Sequence, residues 1–219
     1  MEQEFIKFIK LMRKGDLNEI QTYLQNNPTI NVSADNEYAF RLACDKGYLE
    51  VAQWLYQIKP TIDVSINNEW AFRWTCKKGY LQVAQWLYQI KPTINVSINN
   101  EWAFRWACEN GQLQVAQWLY QIKPTIDVSA NNEWAFQTAC QNGHLEVAQW
   151  LQTLKPYLYV IHYYEDGSYK NFYIRNKEEA LWKRRKYAVW LASELTPNKN
   201  SLLYMLPTDV SRYIIQKYL

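Results

Sequence analysis

The sequence predicts an all-α solenoid of short helix–turn–helix units, with a small β-hairpin inserted near its C-terminal cap. Three observations carry this. One phrase recurs four times at a spacing of 32 residues: Glu37-Tyr-Ala-Phe-Arg-Leu-Ala-Cys44, Glu69-Trp-Ala-Phe-Arg-Trp-Thr-Cys76, Glu101-Trp-Ala-Phe-Arg-Trp-Ala-Cys108 and Glu133-Trp-Ala-Phe-Gln-Thr-Ala-Cys140. Each is followed by a glycine (Gly47, Gly79, Gly111, Gly143) and then by Val-Ala-Gln-Trp-Leu. After the fourth copy the wording changes to tyrosine-rich runs on either side of Asp166-Gly167, a strong hairpin signal. A fixed period in this range marks an array in which each unit buries its apolar face against its neighbours. Such arrays expose one long continuous surface and rarely close a reaction pocket. The expectation is therefore a binding protein rather than an enzyme.

Residues 1–36 read as an N-terminal capping unit in the same register, because Gly15 lies 32 residues before Gly47. Its apolar residues (Phe5, Ile6, Phe8, Ile9, Leu11, Met12, then Ile20, Tyr23 and Leu24) are diluted by Lys, Asn and Gln. That suits a terminal repeat with a wet outer face.

Residues 37–156 hold the four clear repeats. In the unit that starts at Glu69, Asn67-Asn68 offers an N-cap and Lys77-Lys78-Gly79 a stop. At helical spacing Ala71, Phe72, Thr75 and Cys76 share one face. Glu69 and Arg73 share another as an i,i+4 pair, and Trp70 and Trp74 form a strip between those two. The second helix, roughly Leu81 to Ile90, is apolar around most of its circumference apart from Gln82, Gln85 and Gln89. A short helix of that kind is expected to be sandwiched between neighbours. Lys91-Pro92 ends it, and Thr93-Ile-Asn-Val-Ser97 alternates like an extended connector.

Residues 157–201 read as a remodelled final repeat: strands on either side of residues 165–168, then a helix from Asn176 to Leu195. Residues 202–219 read as a terminal helix, with Thr208 or Asp209 as its cap and Val210, Ile214 and Leu219 near one face.

The Ala-Cys pair ending the first helix and the Gly-x-Leu-x-Val-Ala turn into the second resemble the ankyrin repeat. Asn142-Gly-His-Leu-Glu-Val147 restores that family's wording most fully. The likeness covers about residues 5–156 and implies a helical solenoid that binds other proteins. The chain departs from the family where Trp-Ala-Phe-Arg replaces Thr-Pro-Leu-His and Lys-Pro-Thr-Ile replaces Gly-Ala-Asp. Those departures look most like the expanded ankyrin families of giant DNA viruses (mimivirus-like). They imply a viral adaptor in the host cytoplasm or nucleus, acting on a host or viral protein not identified by the sequence. The stretch Leu206-Pro207-x-Asp209-Val210-x-x-x-Ile214 is similar to the opening of an F-box, and to the short ends with which poxviral ankyrin proteins recruit cullin ubiquitin ligases. That likeness implies a docking motif for a ubiquitin-ligase adaptor subunit, and with it a substrate receptor of a cullin–RING ligase. A plain terminal helix packed on the cap is the alternative.

Composition limits other classes. Net charge is +3, with 10 basic against 6 acidic residues from Tyr157 onward and 14 against 15 before it. That is too weak for a nucleic-acid binder by itself, although Lys183-Arg-Arg-Lys186 is a small basic cluster. No stretch approaches a membrane span and the start lacks a signal-peptide layout, so the expectation is an aqueous intracellular compartment with no membrane contact. Cys44, Cys76, Cys108 and Cys140 occupy one slot in successive units. Stacked equivalents should sit too far apart for disulfides, so they read as reduced, buried residues. With only His144 and His162 to join them, no metal site is expected. No catalytic constellation or phosphate cradle appears, so neither catalytic residues nor a cofactor are expected. The candidate partner-binding residues are the aromatic and cationic columns of the first helices: Tyr38, Arg41, Trp70, Arg73, Trp74, Trp102, Arg105, Trp106 and Trp134. Tryptophan and arginine are the residues most enriched at binding hot spots.

Overall fold

Short helices joined by glycine turns build the chain, as a computed structural model describes it for residues 2–156, 158–163 and 169–174. Among the described residues there are ten helices and two strands. Five helix pairs follow in order: α1 (Glu2–Lys14) with α2 (Leu17–Asn26), α3 (Ala34–Lys46) with α4 (Leu49–Ile58), α5 (Ile66–Lys78) with α6 (Leu81–Ile90), α7 (Ile98–Glu109) with α8 (Leu113–Ile122), and α9 (Ala130–Gln141) with α10 (Leu145–Leu154). Packing divides the chain into two units, Met1–Ala148 and Gln149–Leu219.

In the first unit α1, α3, α5, α7 and α9 stack in chain order, and α1, α3, α5 and α7 each pack on their own second helix. The faces that helical spacing assigns are the ones buried. Phe40, Phe72, Phe104 and Phe136 form a fully buried column beside Ala39, Ala71, Ala103 and Ala135. Val83, Ala84 and Leu87 close the other side of their repeat, while Gln82, Gln85 and Gln89 stay exposed. Thr75 is fully buried in the slot that holds alanine elsewhere, and its hydroxyl donates to Phe72 O at 2.8 Å. The second helices are less enclosed than their composition suggested, because Trp86 and Tyr88 are only half-buried. Trp86 packs on Phe40 and Tyr56 of the preceding repeat, and Trp118 on Phe72 and Tyr88.

Each first helix ends at a left-handed glycine. At Gly47, with φ 75°, an added Cβ would lie 2.7 Å from the Tyr80 ring of the next repeat. Tyr48, Tyr80, Gln112 and His144 each pack in this way on the glycine of the repeat before. Glycine there serves both the turn and the close approach.

The connectors alternate as the sequence suggests, with Ile62 and Val64, Ile94 and Val96, and Ile126 and Val128 buried. Each is closed by an Asx turn in which the side chain of Asn31, Asp63, Asn95 or Asp127 accepts from the serine N–H two residues on.

The start of each first helix departs from the expected N-cap. Asn67, Asn68 and Glu69 have φ of 55°, 58° and 58°, a full left-handed turn, and the right-handed helix begins only at Trp70. The same turn occurs at Asp35-Asn36-Glu37, Asn99-Asn100-Glu101 and Asn131-Asn132-Glu133. Non-glycine residues resist this conformation by about 1–2 kcal/mol each, asparagine and aspartate least. Paired Asx-Asn residues are thus the chemistry for a reversal of hand, and no asparagine side chain caps the helix.

In the second unit, Lys155 N–H donates to Leu151 O at 3.1 Å and Tyr159 N–H to Lys155 O at 3.0 Å, which turns the chain out of its helix. Gln152 Nε2 donates to Tyr159 O at 3.2 Å. β1 (Tyr159–Tyr163) then pairs antiparallel with β2 (Tyr169–Ile174), with Tyr159 opposite Ile174 and an irregularity at His162/Tyr163. This is the expected ladder. The turn at residues 165–168, the helix expected over 176–195 and the whole of 202–219 lie outside the described residues. So do the five candidate docking residues, Leu206, Pro207, Asp209, Val210 and Ile214.

Candidate partner-binding face

The left-handed turns decide where the arginines go. Because Glu69 belongs to a turn of opposite hand, it does not stand one helical turn before Arg73, and the expected i,i+4 ion pair is not formed. Instead Arg73 donates from Nε to Asn68 O at 2.6 Å and from Nη2 to Asn67 O at 3.2 Å. Arg41 does the same to Asn36 and Asp35, and Arg105 to Asn100 and Asn99. Gln137, in the fourth repeat, makes one such bond, to Asn132 O at 3.0 Å. The guanidinium thus satisfies two carbonyls that the change of hand leaves outside the right-handed helix. Burial lowers the pKa of Arg73 and Arg105, with nearby Glu69 opposing it for the first and Glu109 and Glu101 for the second. The Glu69 carboxylate reaches the next connector, where Oε1 accepts from Asn95 N–H at 3.4 Å.

Each guanidinium also lies over an aromatic ring of the next repeat. Arg41 is 5.1 Å from the Trp70 ring centre, Arg73 4.8 Å from Trp102 and Arg105 5.8 Å from Trp134. Arg105 is 8% exposed, so little of it is open to a partner.

The indoles form a continuous ladder. Ring centres are separated by 5.4 Å for Trp70–Trp74, 5.7 Å for Trp74–Trp102 and 5.1 Å for the stacked Trp102–Trp106 pair. All four are half-buried, as are Tyr38 and Trp134. The structure therefore brings the nine candidate residues onto one face, the first helices of successive repeats. It gives the arginines a structural engagement and leaves the outer parts of the aromatics open. Leu42 is buried at the start of the inner column, and Thr138 ends it with a hydroxyl that donates to Trp134 O. Trp134 Nε1 donates to Glu109 Oε2 at 2.8 Å.

One residue of this face was missed by sequence reasoning. Lys77 places its ammonium 3.9 Å from the Trp106 ring centre and 4.5 Å from that of Trp74. The signal was available in the spacing, since Lys77 stands three residues after Trp74 on one helix.

All four cysteines are free and buried, and burial raises their pKa, to about 12 for Cys140. The His144 ring packs on Gly111. Among the described residues no cluster of three or more His, Cys, Asp or Glu could hold a metal ion, and no helix is long and apolar enough to cross a membrane.

Stacked helix pairs with left-handed glycine stops and connectors between them define a solenoid of helix–turn–helix repeats. Residues 72–158 match the family model described as ankyrin repeats, in three copies. The chain is also similar to the X-ray structure of an ankyrin repeat family protein from Legionella pneumophila, at 25% identity and a TM-score of 0.52. That match covers 62% of this chain and 40% of the Legionella chain. No curated protein matches the sequence. The fold is an ankyrin-type solenoid.

Proposed function

We propose that this chain is a protein-interaction module that binds its partner through the first-helix face of its repeats. Ankyrin repeats indicate a protein–protein interaction scaffold, and the ladder of half-buried indoles from Trp70 to Trp106 is the observation that carries the assignment to this face. Large, rigid aromatics held in fixed geometry bind at low entropic cost. Tyr38, Trp70, Trp74, Trp102, Trp106 and Trp134 supply the contact area, with Arg41 and Arg73 along its edge and buried Arg105 holding the Trp134 ring in place. Trp102→Ala tests the assignment. A binding role gives at least a tenfold loss of partner affinity with a stability cost of about 2 kcal/mol, as for a half-buried ring. A cost of several kcal/mol with affinity unchanged marks the column as packing alone.

The likeness to giant-virus ankyrin families supports a viral adaptor that meets its partner in the host cytoplasm or nucleus. A second reading, a substrate receptor of a cullin–RING ligase, rests on the F-box-like wording of Leu206, Pro207, Asp209, Val210 and Ile214. Removal of residues 203–219 tests it. Docking requires near-unchanged melting together with loss of co-purifying cullin-associated adaptor subunits. Unfolding of the truncated chain, or failure of the full chain to capture such a subunit, rejects it.

A further inference from the structure

The cations of the first-helix face differ in what already occupies them. The three arginines donate to backbone carbonyls of the left-handed turns. Lys78 pairs with Asp45 at 3.5 Å. Lys77 has no ion pair and no hydrogen bond among the described residues, and its ammonium is held against the Trp74 and Trp106 rings. Two indoles hold its position, and the ammonium carries three N–H donors, more than the two rings can engage. A cation so arranged is preorganised to receive a carboxylate.

Charge is distributed to match. The first helices of the earlier repeats carry Arg41, Lys46, Arg73, Lys77 and Lys78 against exposed Asp35, buried Glu37 and Glu69, and Asp45, which Lys78 engages. In the later repeats the positions equivalent to Lys77 are Glu109 and Gln141, and those equivalent to Lys78 are Asn110 and Asn142. The basic excess therefore centres on α5, where Arg73, Lys77 and Lys78 outnumber Glu69, while α3 is near balance and α7–α9 are neutral to acidic. Stacked helices lie about 8–10 Å apart. The steps from α3 to α9 thus span roughly 30 Å, the reach of about nine extended residues.

We propose that this face binds an extended acidic segment of the partner protein, with Lys77 as the anchor for one of its carboxylates. This rests on the reading of the face as the partner-binding one. The acidic part lies over α5, its apolar side chains meet the outer edges of the Trp74 and Trp106 rings, and the segment runs on to α7–α9. A basic segment is repelled by Lys46, Lys77 and Lys78. Single-stranded nucleic acid fits poorly, because Arg41 and Arg73 cover the ring faces of Trp70 and Trp102 that bases need, and Trp102 and Trp106 stack on each other.

The experiment selects peptides of about twelve random residues, enough to cross the face, on the immobilised full chain. Affinities then follow for the parent protein and for Lys77→Gln, Lys78→Gln and Trp74→Ala/Trp106→Ala. The expected peptides are enriched in Asp and Glu, bind more weakly as salt rises, and lose about tenfold in affinity on Lys77→Gln, the effect of one charge-assisted hydrogen bond. Lys78→Gln, already paired with Asp45, is expected to do less. Neutral or basic selected peptides, or acidic ones indifferent to Lys77→Gln, overturn the acidic anchor while leaving the face reading standing. Peptides that bind the double tryptophan variant as well as the parent overturn the face reading itself. Lys77-dependent binding of single-stranded oligouridine, tighter than that of the acidic peptides, overturns the choice of partner class.

Discussion

Arg73 holds its guanidinium carbon 4.8 Å from the ring centre of Trp102, one repeat further along. The same group donates at 2.6 Å to Asn68 O in the left-handed turn of its own repeat. One side chain thus joins a reversal of backbone hand to the aromatic ladder of the neighbour. The pattern repeats from Arg41 to Trp70 and from Arg105 to Trp134. It stops at Gln137 in the fourth repeat, which keeps one of the two carbonyl bonds.

Arg73→Ala is therefore expected to destabilise the chain by about 2–4 kcal/mol, more than a half-exposed arginine normally does, through two lost hydrogen bonds and one cation–π contact. Arg73→Lys should recover little, since an ammonium cannot serve both carbonyls and lie flat on the ring. Gln137→Ala should cost less than about 1.5 kcal/mol. Equal losses for Arg73→Ala and Gln137→Ala in chemical denaturation would show that the guanidinium has no special part.

Two glycines separate conformation from close approach. Gly47 and Gly143 share φ 75°, but an added Cβ meets the Tyr80 ring at 2.7 Å in the first case and nothing within 4 Å in the second. Gly143→Ala should cost about 1 kcal/mol for the left-handed residue alone. Gly47→Ala should cost at least about 1 kcal/mol more, because Tyr80 must move. Melting temperatures of the two variants give the comparison.

The cysteines should appear as four free thiols that alkylate only on unfolding. Burial raises their pKa, so the native thiols stay protonated where the unfolded chain, near pH 8.5, begins to ionise. Their contribution to stability is full below about pH 8.5 and is lost as pH rises toward the shifted values. The slope is about 1.4 kcal/mol per pH unit for each thiol. Denaturation from pH 7 to 10 should show the decline, and replacing one cysteine by alanine should make it shallower. An intramolecular disulfide by non-reducing mass analysis contradicts this account.

Much of the fold was legible because the repeat is written without gaps. The phenylalanine and cysteine column, the glycine stops and the alternating connectors follow from helical and extended spacing applied to one unit. The left-handed turns were not legible as such. Asn67-Asn68 suits a helix cap and a left-handed turn equally well, and only the backbone decides between them. That one ambiguity misplaced the charges. With Glu69 on the helix, Arg73 has an ion-pair partner; with Glu69 in the turn, Arg73 binds carbonyls instead. Lys77 was passed over because, as part of Lys77-Lys78-Gly79, it reads as helix-end punctuation. Its place between two indoles depends on Trp106, a full repeat away.

The indole ladder as a partner-binding face is tested most directly by the affinity of a captured partner for the full chain, measured by calorimetry with and without Trp74→Ala/Trp106→Ala. The expected result is a loss of at least about a hundredfold, the combined effect of two hot-spot aromatics, with the helical circular dichroism spectrum retained. A folded double variant that binds the partner as tightly as the parent would contradict it.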